Sequence, residues 1–306
     1  MHITRFIHRS EYAAMSTPLF VDYNPAGYSI EELDRQYNAR AAVPDSAHLI
    51  AQYAQASAQV RAQFGVHTGE PYGPHPDETL DIFPAAQPGA PVFVFIHGGY
   101  WRALSSSDSH FVTPAFLKAG ATVVVVNYAL APAVSLDQIT LQCRRALAWV
   151  HRHVARFNGD PARIHVCGHS AGGQLTGMLL APDWPLQFGV SQPLLHSASA
   201  ISGLFDLRPL MHTHINDWLN LTPQSAQANS PVFHVPSQPC PVVLACGGLE
   251  TAEFRRQSLL YGQALQARGG QVDLLFPPQT NHFSVLFQLA DPASSLFKAI
   301  ARLMAL

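Results

Sequence analysis

The sequence predicts a protein of the α/β class, in which one mostly parallel β-sheet carries helices on both faces. Short apolar runs alternate along the chain with longer segments of helical spacing, as expected of parallel strands joined by crossover helices. The runs are continuously apolar, which is typical of strands that are covered on both faces. Hydrophobic residues make up 48% of the 306 residues and charged residues only 12%, so a large core can be buried.

The overall composition argues against several classes of function. The net charge of −2 provides no basic surface for nucleic acid or anionic lipid. No apolar run is long enough to span a membrane, and the first residues lack the apolar stretch of a secretory signal. The four cysteines form no C-x-x-C pair, and the sixteen histidines show no metal-binding spacing. We therefore expect a cytoplasmic protein with reduced thiols, no metal and no cofactor.

Residues 1–64 differ in character from the rest of the chain and predict an N-terminal helical cap. Capping residues at Ser29 and at Asp45–Ser46 each precede a short helical segment. The second segment carries one apolar stripe, made of Leu49, Tyr53, Val60 and Phe64. A helix this far ahead of the sheet must bury such a stripe against the core. The sequence thus predicts a single domain over 1–306, with the cap over 1–64 and the core over 65–306.

The elements of the core follow in chain order. Strands are predicted at 79–83, 91–96, 121–128, around Ile164 and Val166, and at 196–202, 241–246 and 271–276. Helices are predicted at 107–119, 135–157, from Ser170 to about 181, at 252–268 and from about 292. The segment 205–235 is rich in Asn, Pro and His, and is predicted to contribute a lid or a pocket wall.

A tight turn at Gly168–Gly172 is the feature around which the candidate site is organised. Its residues, G-H-S-A-G, fit the G-x-S-x-G nucleophile elbow, a strained strand-to-helix turn that lifts a serine above the sheet. Small residues are needed at both ends because the strand and helix backbones come close together. The helix N-terminus places free N–H groups beside the serine. The pattern predicts that Ser170 is a nucleophile.

A base and an acid follow in loops after later strands. His282 is the only histidine beyond the strand at 241–246, and it follows the last predicted strand. Glu250 follows the strand at 241–246, which gives the chain order Ser…acid…His of a hydrolytic triad. Asp206, after the preceding strand, is an alternative acid, and Glu253 is expected to interact with a helix N-terminus. The position in the loop favours Glu250 over Asp206.

A Gly-Gly turn after the strand at 91–96 predicts an oxyanion hole. His97-Gly98-Gly99 is similar to the H-G-G-G loop of lipases and esterases. Glycine is needed there because a side chain would block the carbonyl oxygen from the backbone donors. The N–H groups of Gly98, Gly99 and Ala171 are the predicted donors, and each such donor contributes about 10²–10³ in rate.

With these residues in place, the sequence resembles the arylformamidases (kynurenine formamidases), a branch of the hormone-sensitive-lipase-like α/β-hydrolases. The most specific element is H-G-G-Y-W at 97–101, because the wider esterase group usually has a third glycine in place of Tyr100. The other similar segments are N-Y-A-L-A-P at 127–132, D-P-A-R-I-H-V-C-G-H-S-A-G-G-Q-L at 160–175, S-G-L-F-D-L-R-P-L at 202–210, E-T-A-E-F-R-R-Q-S at 250–258, N-H-F at 281–283 and L-D-R-Q-Y-N at 33–38.

The resemblance implies the α/β-hydrolase fold and hydrolysis of N-formylkynurenine to kynurenine and formate without a metal. It implies that Ser170 is the nucleophile, His282 the base and Glu250 the acid. At the position of Glu250 the animal enzymes have Asp. It also implies a homodimer, which no residue pattern here supports independently. The alternative activity is that of a carboxylesterase on small acyl esters, and a third is a binding protein of the same fold without turnover.

The substrate expected from this reading is a small aryl formamide or ester. A formyl group needs almost no acyl pocket, whereas an aryl leaving group needs an apolar one. Tyr100, Trp101 and Phe283 flank the predicted site and are candidate walls, with core packing as the alternative for each. Arg102 could bind a substrate carboxylate or could be a solvated surface side chain.

Overall fold

Eight strands form a single sheet in a computed structural model that describes residues 27–182, 184–190 and 193–306. The strands are β1 (His67–Pro71), β2 (Thr79–Phe83), β3 (Ala90–Ile96), β4 (Thr122–Val126), β5 (Gly159–His169), β6 (Ser197–Ile201), β7 (Val242–Ala245) and β8 (Val272–Leu275). Their order across the sheet is β1-β2-β4-β3-β5-β6-β7-β8. β1 and β2 run antiparallel to their neighbours, and β4, β3, β5, β6, β7 and β8 are parallel. The prediction of a mostly parallel α/β sheet is confirmed.

The sheet has its most apolar strands at the centre. Every residue of β3 and of β4 is buried, as the continuous apolar runs predict. β3 lies between β4 and β5, with Val94 level with Val124 on one side and Val166 on the other. The loops that follow β3 and β5 therefore emerge side by side at one edge of the sheet, where ligands bind in open α/β folds.

The described residues contain α1 (Ile30–Tyr37), α2 (Ala39–Ala42), α3 (Ser46–Gln63), α4 (Thr113–Lys118), α5 (Leu136–His153), α6 (Ala171–Leu179), α7 (Trp184–Gln187), α8 (Asn216–Leu219), α9 (Pro223–Ala228), α10 (Ala252–Gln266) and α11 (Ser295–Met304). None of these helices is long and apolar enough to cross a bilayer.

One predicted helix is shorter than expected. The segment 107–119 contains two 3₁₀ turns, Ser106–Asp108 and His110–Val112, before α4 begins at Thr113. Pro114 lies in the first turn of α4 and lacks a backbone N–H, so an α-helix can begin there but cannot run through it with its hydrogen bonds intact.

The N-terminal helices pack against the core beside the site. Tyr53 of α3 stacks on Phe111, with ring centroids 4.6 Å apart and planes within 7°. The Ser57 hydroxyl of the same helix accepts a hydrogen bond from the backbone N–H of Phe111 at 3.1 Å. Residues 1–26 of the predicted cap lie outside the described residues.

The segment 205–235, predicted to contribute a lid or a pocket wall, contains the short helices α8 and α9 and two 3₁₀ turns.

Candidate active site

Ser170 occupies the turn between β5 and α6, and its backbone is strained. Its φ of 54° and ψ of −116° lie in a region that non-glycine residues rarely adopt. A Cβ on Gly168 would lie 2.1 Å from the carbonyl oxygen of Gly172, and one on Gly172 would lie 2.1 Å from that of Ile96. Both positions thus require glycine, and the sharp turn they allow places the serine at the strand end, as in a nucleophile elbow.

Ser170, His282 and Glu250 form one continuous chain of hydrogen bonds. His282 Nε2 lies 3.1 Å from Ser170 Oγ, and His282 Nδ1 lies 2.6 Å from Glu250 Oε2. An ionised carboxylate can only accept hydrogen bonds, so Nδ1 carries the proton and Nε2 presents a lone pair to the serine hydroxyl. The side chains of His282 and Glu250 are 6% and 1% exposed, which shields their interaction from water.

The second oxygen of Glu250 is held by two further donors. Glu250 Oε1 accepts hydrogen bonds from the backbone N–H of Gly247 at 2.6 Å and from Ser202 Oγ at 2.5 Å. These contacts fix the plane of the carboxylate. Ser202 has no predicted role from the sequence, although it directly follows β6 and begins the segment at 202–210 that is similar to the arylformamidases.

The alternative acids have other partners. Asp206 is fully buried and accepts from the Arg208 guanidinium through both of its oxygens, at 2.9 and 2.8 Å. Glu253 lies in the first turn of α10, where its carboxylate is bound by Arg256 at 2.8 Å and by the Tyr37 hydroxyl at 2.7 Å. Neither carboxylate contacts a histidine, so the geometry leaves Glu250 as the acid beside His282.

The loop after β3 brings backbone donors next to Ser170. A Cβ on Gly98 would lie 3.2 Å from Ser170 Cβ, and one on Gly99, whose φ is 99°, would lie 2.1 Å from the carbonyl oxygen of Ala103. Only glycine fits at either position. Within the described turns and loops, the N–H groups of Gly98, Gly99 and Ala171 donate to no other backbone group, so they are free for a ligand.

Two buried side chains hold this loop in place. The ring Nδ1–H of His97 donates to the Gly98 carbonyl at 2.9 Å, and the Tyr128 hydroxyl donates to the His97 carbonyl at 2.8 Å. Burial lowers the pKa of His97 to about 4, so the ring is neutral at physiological pH. A carbonyl fixed at Gly98 also fixes the peptide plane that carries the Gly99 N–H.

A cavity of about 340 Å³ opens above the serine. Ser170, His282, Tyr100 and Phe283 contribute to its wall. Trp101, the third predicted wall residue, does not: it is fully buried, and its indole N–H donates to Gln174 Oε1 at 3.0 Å. The prediction of Trp101 as a pocket wall is therefore corrected in favour of core packing.

Further side chains line the cavity, and among those described next only Arg102 is a candidate substrate contact from the sequence. Aromatic side chains of Tyr53, Phe95 and Phe111 add to its apolar surface. Arg40 of α2 and Arg102 also line it, and both side chains are exposed at its rim. The Arg102 guanidinium lies 3.9 Å from the centre of the Trp218 ring, a cation–π contact that orients it. Among the described residues, no cluster of three or more His, Cys, Asp or Glu side chains could hold a metal ion.

Comparison with known sequences identifies relatives of two kinds. The family described as alpha/beta hydrolase fold matches residues 93–286. The kynurenine formamidase of Danio rerio is 34% identical over 241 residues, which cover 76% of this chain and 80% of the relative. That of Salmo salar is 34% identical over 242 residues with the same coverage. Esterase LipQ of Mycobacterium tuberculosis is 29% identical over 220 residues, which cover 65% of this chain and 52% of the relative.

Solved structures agree on the fold. A protein from Silicibacter sp. TM1040, described as a candidate thioesterase, superposes with a TM-score of 0.78 and 28% identity, over 88% of this chain and 99% of the other. An esterase of Pyrobaculum calidifontis superposes with a TM-score of 0.65 and 20% identity, over 90% and 95% of the two chains. Sequence and structure together establish that the chain is a hydrolase that belongs to the kynurenine formamidase family of the α/β-hydrolase fold.

Proposed function

We propose that this protein is an arylformamidase that converts N-formylkynurenine to kynurenine and formate. The observation that carries the proposal is the hydrogen-bonded series Ser170–His282–Glu250 at the floor of a cavity that combines aromatic walls with two arginines. In this proposal Ser170 is the nucleophile, His282 is the general base, and Glu250 orients the imidazole and stabilises the imidazolium that forms when His282 takes the serine proton.

The proposed reaction is an acyl transfer in two halves. His282 Nε2 takes the proton of Ser170 Oγ as the oxygen attacks the formyl carbon, and the oxyanion is bound by the N–H groups of Gly98, Gly99 and Ala171. His282 then returns the proton to the aniline nitrogen, the C–N bond breaks and a formyl-serine is left. Water, deprotonated by His282, attacks this ester and releases formate.

The two ends of the substrate match two parts of the cavity. The formyl group, with a single hydrogen beyond its carbonyl, needs only the space beside Gly98 and Ser170. The aryl ring is proposed to pack on Tyr100 and Phe283, which both line the cavity. The amino-acid end of N-formylkynurenine carries a carboxylate, and Arg102, already oriented by Trp218, is the cation that we propose for it.

A substrate panel tests the proposal. We expect kcat/KM for N-formylkynurenine to exceed that for p-nitrophenyl acetate and butyrate, and Ser170→Ala to reduce turnover of all three by several orders of magnitude while the protein still folds. Esters that are hydrolysed as well as the formamide would remove the formamidase assignment. Undiminished turnover by the Ser170→Ala variant would remove the nucleophile.

The second candidate is a carboxylesterase of small acyl esters. Its support is the group of mycobacterial esterases among the relatives. The same panel separates the two, because only pocket shape and leaving-group chemistry distinguish them. The third candidate, a binding protein without turnover, is disfavoured by the complete Ser–His–Glu series.

Further parts of the proposal concern organisation and location. We propose that residues 1–64 act as a cap on a single domain, because Arg40 and Tyr53 reach the cavity from this segment. A cytoplasmic location is supported by Cys143, Cys167 and Cys246, which are buried as free thiols. A homodimer is proposed from the family resemblance, and sedimentation equilibrium would test it.

A further inference from the structure

His169, the residue before the nucleophile, is a second histidine in the site that the proposed mechanism does not use. Its side chain is 5% exposed and forms part of the cavity wall. Its Nε2 lies 2.8 Å from the carbonyl oxygen of His282, and the two rings lie 4.7 Å apart. A carbonyl oxygen can only accept a hydrogen bond, so Nε2 of His169 must carry the proton.

This tautomer leaves a lone pair on His169 Nδ1. Within the described residues, Nδ1 has no hydrogen-bond partner. A Cβ built on Gly98 would lie 3.2 Å from Nδ1 and also 3.2 Å from Ser170 Cβ. The unpartnered acceptor and the nucleophilic residue therefore both pack beside Gly98 of the oxyanion loop, on the wall of the cavity to which His169 and Ser170 contribute. Burial is the main cause that keeps the pKa of His169 well below its usual value, and the electrostatic effect of His282 adds to it. The ring of His169 is therefore neutral.

The chemistry of amide cleavage explains what an acceptor here can do. When Ser170 attacks a formamide, the nitrogen becomes pyramidal and must turn its lone pair towards His282 to receive a proton. Its own N–H then points away from His282 into a space from which water is largely excluded. A donor left unpaired in such surroundings costs free energy, whereas a matched acceptor removes that cost. An ester has no hydrogen on its leaving oxygen and gains nothing from the acceptor.

We propose that His169 Nδ1 accepts a hydrogen bond from the N–H of the scissile amide and thereby selects secondary aryl amides over the corresponding esters. This inference rests on the proposed acyl-transfer reaction at Ser170 and names the chemical class of leaving group that the site prefers. His169 has two functions in this account: Nε2–H positions His282 through its carbonyl, and Nδ1 contacts the substrate.

Two substitutions separate these functions. In His169→Gln, the side-chain amide can reach the position of Nε2 and still donate to the His282 carbonyl, but no acceptor remains at the position of Nδ1. In His169→Asn, the shorter amide places its oxygen near the position of Nδ1, and the donor to His282 is lost. The substrates are formanilide and phenyl formate, which share the formyl group and the phenyl ring and differ only in N–H against O.

The readout is the ratio of kcat/KM for formanilide to kcat/KM for phenyl formate, with spontaneous hydrolysis subtracted. We expect His169→Gln to lower this ratio about tenfold or more, as for loss of one matched hydrogen bond, and His169→Asn to lower both rates while keeping the ratio within about threefold. Thermal unfolding and circular dichroism confirm that each variant is folded, independently of its activity.

A ratio that stays the same in His169→Gln, with both rates reduced together, would overturn the inference and leave His169 as a positioning residue for His282. Failure of the proposed function looks different. Wild-type enzyme that cleaves formanilide but not N-formylkynurenine would refute the assigned substrate, and the ratio in the variants would still decide the role of Nδ1. Wild-type enzyme that cleaves phenyl formate and no formanilide would overturn the inference as well.

Discussion

Replacing Glu250 with Gln removes one charge and leaves the shape of the side chain almost unchanged. The carboxylate accepts three hydrogen bonds, from His282 Nδ1, from the Gly247 N–H and from Ser202 Oγ. A glutamine amide has one oxygen and one NH₂ group. If the NH₂ group faces His282, the imidazole must take the other tautomer, in which Nε2 is protonated and cannot accept the serine proton. If the NH₂ group faces Gly247, two hydrogen-bond donors, the NH₂ group and the Gly247 N–H, point at each other.

In either orientation, the negative charge that stabilises the imidazolium is lost in a site where both side chains are at most 6% exposed. The same change of acid to amide in a serine protease triad lowers kcat by about 10⁴. We expect a loss of about 10⁴ in kcat/KM here, equivalent to about 5.5 kcal/mol of transition-state stabilisation. Steady-state hydrolysis of p-nitrophenyl acetate measures it over that range.

Asp206→Asn is the matched control, because Asp206 is the other acid at the end of a neighbouring strand. Its carboxylate is buried against Arg208, with contacts at 2.8 and 2.9 Å. The substitution breaks this buried ion pair and should reduce the free energy of unfolding by about 3–5 kcal/mol, with little effect on kcat/KM of the folded fraction. The reasoning is refuted if the folded Asp206→Asn variant loses as much kcat/KM as Glu250→Gln, or if Glu250→Gln remains within about tenfold of wild type.

Two further predictions concern substrate binding and acid stability. Arg102→Gln should raise KM for N-formylkynurenine about tenfold, with a smaller change for formanilide, which has no carboxylate; equal changes for both would contradict the proposed contact. Burial lowers the pKa values of His97 and His165 to about 4 and about 3, so the unfolded chain binds more protons below pH 6.5. The free energy of unfolding should therefore be constant above pH 6.5 and fall by about 2 kcal/mol per histidine between pH 6.5 and 5. Urea unfolding of His165→Gln should show a shallower pH dependence, and an unchanged slope would contradict this cause.

The sequence predicts the centre of the sheet well and its edge poorly. β3 and β4 are apolar on both faces, and such runs fit only a buried strand. β1, with the sequence His67-Thr-Gly-Glu-Pro71, is mostly exposed and lacks that signal. It is a strand because β2 offers it hydrogen bonds, and pairing of this kind depends on tertiary structure rather than on local pattern.

Neighbouring residues in the sequence need not share a wall, as Tyr100 and Trp101 demonstrate. Both have positive φ, 49° and 58°, after Gly99 at 99°. Three consecutive residues in this region turn the chain sharply, so one ring lines the cavity while the other enters the core against Gln174. The H-G-G-Y-W motif identifies the loop, but it does not reveal which aromatic side chain faces the substrate.

Selection of the acid in the triad depends on contacts between segments that are distant in the sequence. Glu250 and Asp206 both follow strands of the parallel sheet, and sequence position alone leaves either within reach of a histidine. The structure distinguishes the two acids by their partners. Asp206 forms an ion pair with Arg208, two residues away, whereas Glu250 accepts a hydrogen bond from His282. The Ser202 hydroxyl, which also donates to Glu250, begins the similar segment at 202–210, but the sequence does not show that this segment reaches the acid.

The N-terminal helix α1 is joined to the loop that carries the acid. Thr251, the residue after Glu250, donates to the Gln36 carbonyl at 2.6 Å. Tyr37 donates to Glu253 at 2.7 Å, and its carbonyl accepts from the Tyr100 hydroxyl of the cavity wall. One turn of α1 thereby ties the acid loop to the oxyanion loop across the mouth of the site. Since the geometry of a triad must be held within fractions of an ångström, we expect these contacts of α1 to contribute to the positions of both loops.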